Sequence, residues 1–333
     1  MPRLSQEIPT TPASLWRDDE PIRIGGSACL LGSCVRFDGG HKLDRFLTET
    51  MAPFVEWVPV CPEVEVGMGV PRETLRLVRH GDAVRLVAQR SGTDHTEAMR
   101  TWSKQRVHEL ERLELCGYVL KKGSPSCGMD RVRLHEPSGM PSRGARGIFA
   151  EELMRHFSRL PIEEEGRLND PALRENFLER VFAYQRLRGL FRGGWRRRDL
   201  IGFHAAHKLQ LMAHSPAHYR ALGRLVADCK RYKASELRET YADKFMEALR
   251  HRATVRRHVN VLQHIIGYFR EHMDAVSRDE FHRLVEDYRN GLIPLVVPLT
   301  LVRHYALQFH VTYLSRQVYL DPHPKELMLR NHV

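Results

Sequence analysis

Ile22-Arg23-Ile24-Gly25-Gly26-Ser27-Ala28-Cys29-Leu30-Leu31-Gly32 reads as a short apolar strand, Ile22 to Ala28, running straight into a loop of small residues that carries a cysteine. The pattern recurs twice. Phe54 to Val60 reads as a strand followed by Cys61-Pro62-Glu63, and Leu115 to Leu120 as a strand followed by Ser124-Pro125-Ser126-Cys127-Gly128. Val84 to Gln89 is a further strand. Between it and Leu115, Thr93 to Leu113 carries Val107, Leu110 and Leu113 on one helical face, which predicts a strand-helix-strand unit. Strands and helices in alternation predict an α/β domain with an open, mostly parallel, Rossmann-like sheet. Such sheets form their ligand crevice at the carboxyl ends of the strands, so the three cysteine loops converge there although they are far apart in sequence.

The pattern changes after Pro161. Glu163-Glu164-Glu165-Gly166 reads as a linker, and from Pro171 onward almost every segment has helical periodicity. Ala172 to Leu190 forms one amphipathic helix closed by Gly193-Gly194, and a second runs from about Arg197 to Ala213. Ser215-Pro216 opens the next, with serine as cap and proline in the first turn, and others follow from Ser235, Thr254, Ser277 and Pro294. The expected organisation is an N-terminal tail (1–20), an α/β domain (21–160), a linker with a connecting helix (161–195) and an all-α domain (196–333).

The chain has 333 residues and 42% apolar composition, enough for two cores. It contains no run of about 18 apolar residues, and Met1 to Glu20 has no apolar stretch, so neither a membrane helix nor a secretory signal is expected. Six scattered cysteines do not make a disulfide framework, which points to a cytoplasmic protein with thiols used for metal binding or chemistry. The net charge of +11 divides into +2 for residues 1–160 and +9 for 161–333. That surplus suits a polyanion, but moderately basic enzymes without a nucleic-acid partner are common, and the enzyme reading is preferred.

Three thiolates leave one iron of a [4Fe-4S] cluster open, and Gly, Ser, Ala and Pro neighbours let backbone N–H groups approach cluster sulfides. Spacing alone also allows a four-cysteine zinc site in which Cys34 joins Cys29, Cys61 and Cys127. Cys116 and Cys229 read as small buried hydrophobes. Glu63 lies beside Cys61-Pro62, where it is a candidate general base or a solvated loop acid, and Ser124 and Ser126 are turn formers or site hydroxyls.

Ser27-Ala28-Cys29-Leu30-Leu31-Gly32, Phe37-Asp38-Gly39-Gly40, Cys61-Pro62-Glu63, Gly67-Met68-Gly69-Val70-Pro71-Arg72 and Ser124-Pro125-Ser126-Cys127-Gly128, in this order, resemble the thiouracil desulfidase family over roughly residues 21–160. The resemblance implies a [4Fe-4S] cluster on Cys29, Cys61 and Cys127, with Glu63 and Ser124 catalytic. It also implies removal of sulfur from a small thiobase such as 2-thiouracil, without net redox change. Phe37 stands where a tyrosine is common, and Lys121-Lys122-Gly123 where arginine or serine is more usual before Ser124, which bears on substrate preference. The segment from His204-Ala205-Ala206-His207-Lys208 to Tyr219-Arg220-Ala221-Leu222-Gly223 resembles a YbgA-like helical domain. Its histidines read as polar core or surface rather than metal ligands. The rival functions are a nucleic-acid-binding protein with a structural iron-sulfur or zinc site, and a redox iron-sulfur enzyme.

Overall fold

Strand β1 (Arg23–Ser27) is apolar and glycine-rich because it runs through the middle of a sheet with both faces covered. In the computed structural model, which describes residues 21–136 and 141–332, it pairs in parallel with β2 (Glu56–Val60). The tail expected over residues 1–20 lies outside the described residues. Strands β3 (Leu75–His80) and β4 (Ala83–Ala88) form a hairpin, and β5 (Gly117–Leu120) returns to the other side of β1. Gly25 is required where β1 meets β5: a Cβ there would sit 2.2 Å from the Tyr118 ring. After β6 (Val132–His135) and β7 (Pro141–Ala145), β8 (Ile162–Glu164) pairs in parallel with β5. The first sheet is therefore β2-β1-β5-β8, parallel throughout, and the second is β4-β3-β6-β7, of mixed direction.

Two expectations are corrected here. The strand expected over Val84 to Gln89 exists as β4 and is followed by the helix Thr96–Arg112 and by β5, as expected, but β4 is antiparallel to β3 in the second sheet, so the two strands of that unit belong to different sheets. The acidic run expected as a linker contributes β8, with Glu163 and Glu164 buried. Each glutamate has a partner. Glu163 accepts from Arg167 Nε (2.6 Å), Glu164 from the Met129 N–H (2.8 Å) and Glu165 from the Lys122 N–H (2.6 Å).

Helices α1 (Pro62–Glu65), α2 (Thr96–Arg112) and α3 (Ile148–His156) complete this unit. Met99 on α2 and Ile148 on α3 pack with Leu77, Leu86, Val132 and Leu134 of the second sheet. Trp102 and Tyr118 flank Phe149 on α3, with ring centroids 5.4 and 6.0 Å away. The chain divides into two compact units between Phe177 and Leu178, inside helix α4 (Pro171–Phe191).

The second unit is helical: the rest of α4, then α5 (Arg197–His214), α6 (Pro216–Ala227), α7 (Ala234–Arg250), α8 (Val255–Ile266), α9 (Ala275–Arg289), α10 (Val296–Gln308) and the short α11 (Thr312–Ser315). Ser215 caps α6 by accepting from the His218 N–H, as its sequence predicts, and Thr254 caps α8 in the same way. One core centres on Phe203, Leu222, Tyr241 and Phe245, and another on Leu262, Phe269, Phe281 and Leu299. Among the described residues no helix is long and apolar enough to cross a membrane.

Candidate active site: three thiols and a clamped glutamate

The three cysteine loops leave the carboxyl ends of adjacent parallel strands. Cys29 follows β1 in a 3-10 turn, Ala28–Leu31, closed by Gly32 in the left-handed region (φ 93°). Cys61 follows β2, and Pro62 starts α1 immediately, fixing the direction of departure. Its N–H donates to Glu65 Oε1 (2.9 Å), and Glu65 pairs with Arg106 of α2 (3.0 Å). Cys127 lies seven residues beyond β5 in a tight turn. Ser124 Oγ accepts from the N–H groups of Ser126 (3.2 Å) and Cys127 (3.1 Å), an arrangement that leaves its own hydroxyl proton to donate.

Helix α3 presses on that turn from behind. The N–H groups of Phe149 and Ala150 donate to the Ser126 carbonyl (3.1 and 3.2 Å), and the Gly147 N–H to the Gly128 carbonyl (2.8 Å). A Cβ on Gly147 would meet the Ser126 carbonyl at 2.5 Å, so only glycine permits this approach. From the other side, Glu165 binds the Lys122 N–H and pairs with the Lys121 ammonium.

Cys29, Cys61, Cys127, Glu63 and Ser124 all line one cleft, together with Arg36, Phe37, Arg72, Lys121 and Lys122. Its volume of about 240 Å³ lies below the roughly 300–1,000 Å³ of sites for drug-sized ligands, so it suits small, compact groups. Cys34 is exposed and is not part of the cleft wall, so the structure does not join it to the other three. Cys116 and Cys229 are buried elsewhere.

Both oxygens of Glu63 are held. Arg72 donates to Oε2 through Nε (2.9 Å) and Nη2 (2.6 Å), and Ser126 Oγ donates to Oε1 (2.9 Å). The same guanidinium donates to the carbonyls of Gly69 (3.0 Å) and Val35 (3.0 Å). One buried cation thereby ties together Glu63, the Gly67–Arg72 loop and the loop following Cys29. The clamp was not evident beforehand: Arg72 lies nine residues from Glu63 and Ser126 sixty-three, and only the composition of the two motifs hinted at a role.

The thiols fit a soft cationic centre. All three are free. Burial pushes the Cys29 thiol up to about 11, with the nearby Cys61 adding to the shift. Burial likewise raises Cys61 and, by more, Cys127, whose ionisation is further opposed by Glu63, Cys61 and Cys29. Three mutually repelling thiolates cannot persist there without a compensating positive charge. A metal centre that displaced their protons would supply it, and three sulfur donors in small-residue loops are a donor set that an iron-sulfur cluster can use.

An α/β unit with a three-thiol cleft at the carboxyl edge of its parallel sheet, continued by an all-helical unit, is the class of protein this fold defines. Residues 24–165 match the family model described as 2-thiouracil desulfurase, and residues 208–324 match that of a protein of unknown function, DUF1722. The chain belongs to the 2-thiouracil desulfurase family, with a DUF1722 (YbgA-like) region in its C-terminal half. It is 35% identical over 158 residues to the uncharacterized protein YbgA of Escherichia coli (strain K12), covering 47% of this chain and 94% of that protein. It is 30% identical over 155 residues to the uncharacterized protein YbbK of Bacillus subtilis (strain 168), covering 43% and 96%. A solved [4Fe-4S]-dependent thiouracil desulfidase, TudS, is similar at 29% identity and a TM-score of 0.38, covering 46% of this chain and 97% of that one.

Proposed function

We propose that this chain is a cytoplasmic enzyme that removes sulfur from a small thiolated pyrimidine such as 2-thiouracil, giving the corresponding carbonyl compound and sulfide. The observation that carries the reading is the meeting of Cys29, Cys61, Cys127, Glu63 and Ser124 on one cleft wall. The three thiolates would hold a [4Fe-4S] cluster, which when bound supplies an iron open to sulfur and acting as a Lewis acid.

The protein's own groups handle the protons. Glu63, aimed by Arg72 and Ser126, retains lone pairs on both oxygens and accepts a proton from the substrate or from an attacking water. Ser124, its oxygen anchored by two backbone N–H groups, donates its hydroxyl proton to the substrate. Phe37 offers a partly exposed ring beside the cleft, with the Arg36 guanidinium 5.3 Å from its centroid, a surface on which a planar base can stack. Water supplies the incoming oxygen and sulfide departs, so no electrons are gained or lost.

Anaerobically prepared protein should carry about four irons and four labile sulfides and release one sulfide per uracil formed, without a reductant. Replacing Cys29, Cys61 or Cys127 by alanine should abolish the iron, whereas Cys34→Ala, Cys116→Ala and Cys229→Ala should keep it. Glu63→Gln should keep the cluster and slow turnover by about a hundredfold or more, and Ser124→Ala should slow it less. Undiminished turnover in Glu63→Gln, or a strict requirement for an electron donor, would refute the assignment.

A further inference from the structure

Two loops of the helical unit, separate in sequence, meet in space. Arg197, at the start of α5, donates from Nε to the Cys229 carbonyl (3.0 Å) and from Nη2 to the Tyr232 carbonyl (2.8 Å). This joins the turn Arg192-Gly193-Gly194-Trp195-Arg196-Arg197-Arg198 to the turn Cys229-Lys230-Arg231-Tyr232-Lys233. Arg192, Arg196, Arg197 and Arg198 are exposed in the first turn, and Lys230, Arg231 and Lys233 in the second. A third element contributes Arg238 of α7, also exposed, with its guanidinium 5.6 Å from the Phe191 ring centroid.

The acids nearby do not cancel these charges. Eight basic side chains face four acidic ones over residues 192–199 and 228–239. Asp199 is committed to the start of α5, where its Oδ2 accepts from the Arg196 N–H (2.8 Å). The pairs Arg198–Asp199, Arg231–Asp228 and Arg238–Glu239 are open contacts at 3.5–3.6 Å, of the kind that contributes little and exchanges readily.

Aromatic groups lie among the cations. Trp195 is half-buried between Gly194 and Arg196, its ring packed edge-on against Phe191 at 5.1 Å, and Tyr232 is half-buried between Arg231 and Lys233. Arginine outnumbers lysine by three to one over the patch. Its planar fork matches phosphate oxygens, and half-exposed aromatic faces between cations take unpaired bases by stacking.

We infer that this two-loop surface binds single-stranded nucleic acid, the cations following the phosphate backbone and Trp195 stacking on a base. The inference is independent of the desulfuration chemistry, since none of these residues lines the thiol cleft. Binding is measured on the full-length protein with a fluorescein-labelled, mixed-sequence single-stranded RNA at several salt concentrations. Affinity should fall steeply and linearly on a double-logarithmic plot.

The triple variant Arg196→Glu, Lys230→Glu, Arg231→Glu should bind about tenfold or more weakly, with a shallower salt slope. A control triple, Arg256→Glu, Arg270→Glu, Arg283→Glu, changes net charge equally at exposed positions of the same unit and should bind nearly as the parent does. Trp195→Leu should weaken binding severalfold with the slope unchanged. Unaltered circular dichroism melting of the triple variants separates lost binding from lost folding, and the corresponding glutamine triple serves if the glutamate one is unstable. Equal loss in the two triples, no RNA binding at low salt, or retention on phosphatidylserine vesicles without RNA binding would overturn the inference.

Discussion

In the α/β unit Glu63 stands on a cleft wall with one oxygen on Arg72 and the other on Ser126, whereas in the helical unit Glu179 lies wholly inside, between Arg330 (2.6 Å) and His214 (2.8 Å). Both carboxylates have cationic and hydrogen-bonding partners. Glu63 has a ligand-sized space in front of it, whereas the Glu179 side chain is almost wholly buried. The helical unit extends its pattern with histidines: His207 donates from Nδ1 to the Phe203 carbonyl (2.7 Å), and His258 Nδ1 meets the Tyr319 hydroxyl (2.8 Å). Similar side-chain chemistry therefore serves two ends, reactivity where one face is left open and a specified interior where it is closed.

The comparison breaks first by cutting the chain. Ending it at residue 160 removes β8 and the glutamates that hold Met129, Lys121 and Lys122, so this fragment should fail to retain iron. Ending it at residue 177 spares them, and iron analysis of the two anaerobic preparations should separate them completely. If both fragments hold iron, β8 does not support the Cys127 loop.

A smaller but local effect comes from the clamp. Arg72→Leu leaves a largely buried carboxylate without its cation, at a cost of roughly 3–5 kcal/mol, visible as a lower melting temperature and as turnover lost out of proportion to iron. Arg72→Lys should recover stability better than turnover, because one ammonium cannot reproduce the fork that spans Glu63, Gly69 and Val35.

Acid should discriminate between the units in the other direction. Burial holds His207 and His258 down to about 3, and His204 and His323 down to about 4. Below the unfolded value of about 6.5 the unfolded chain binds protons that these folded histidines refuse. Their contribution is therefore complete above that pH and is lost as pH falls toward 4 and 3. Thermal melts followed at pH 7, 6 and 5 should show the helical unit losing stability progressively. The smallest effect expected is that of Ser215→Ala, about 1 kcal/mol from the lost cap of α6.

The three cysteine strands were legible because each is a local signal, an apolar run ending in small residues. The helices were legible for the same reason, down to the Ser215 cap and the start of α8 at Thr254. Of the second sheet only β4 was legible as a strand; β3 and β6 are short and partly exposed, and their pairing with each other joins segments more than fifty residues apart. The acidic β8 shows why most sharply. Three consecutive glutamates look solvated until the fold brings the Met129 backbone and Lys121-Lys122 to two of them, the third pairing locally with Arg167. At the site, residue types and neighbours alone left Cys34 beside Cys29, Cys61 and Cys127, and it was the resemblance of the five ordered motifs to the desulfidase family that implied the set Cys29, Cys61, Cys127, Glu63 and Ser124. The Arg72 and Ser126 clamp, fixed by contacts between loops, was visible only in three dimensions.

The position of β8 also sets a schedule for biosynthesis. A ribosome delivers Cys29, Cys61 and Cys127 well before Glu164 and Glu165, so the last thiol loop waits for a strand made after it. Once β8 has emerged, the helical half is still to be synthesised, at about 5–20 residues per second. Loading of the proposed cluster into a complete α/β unit is thus compatible with a chain still attached to the ribosome.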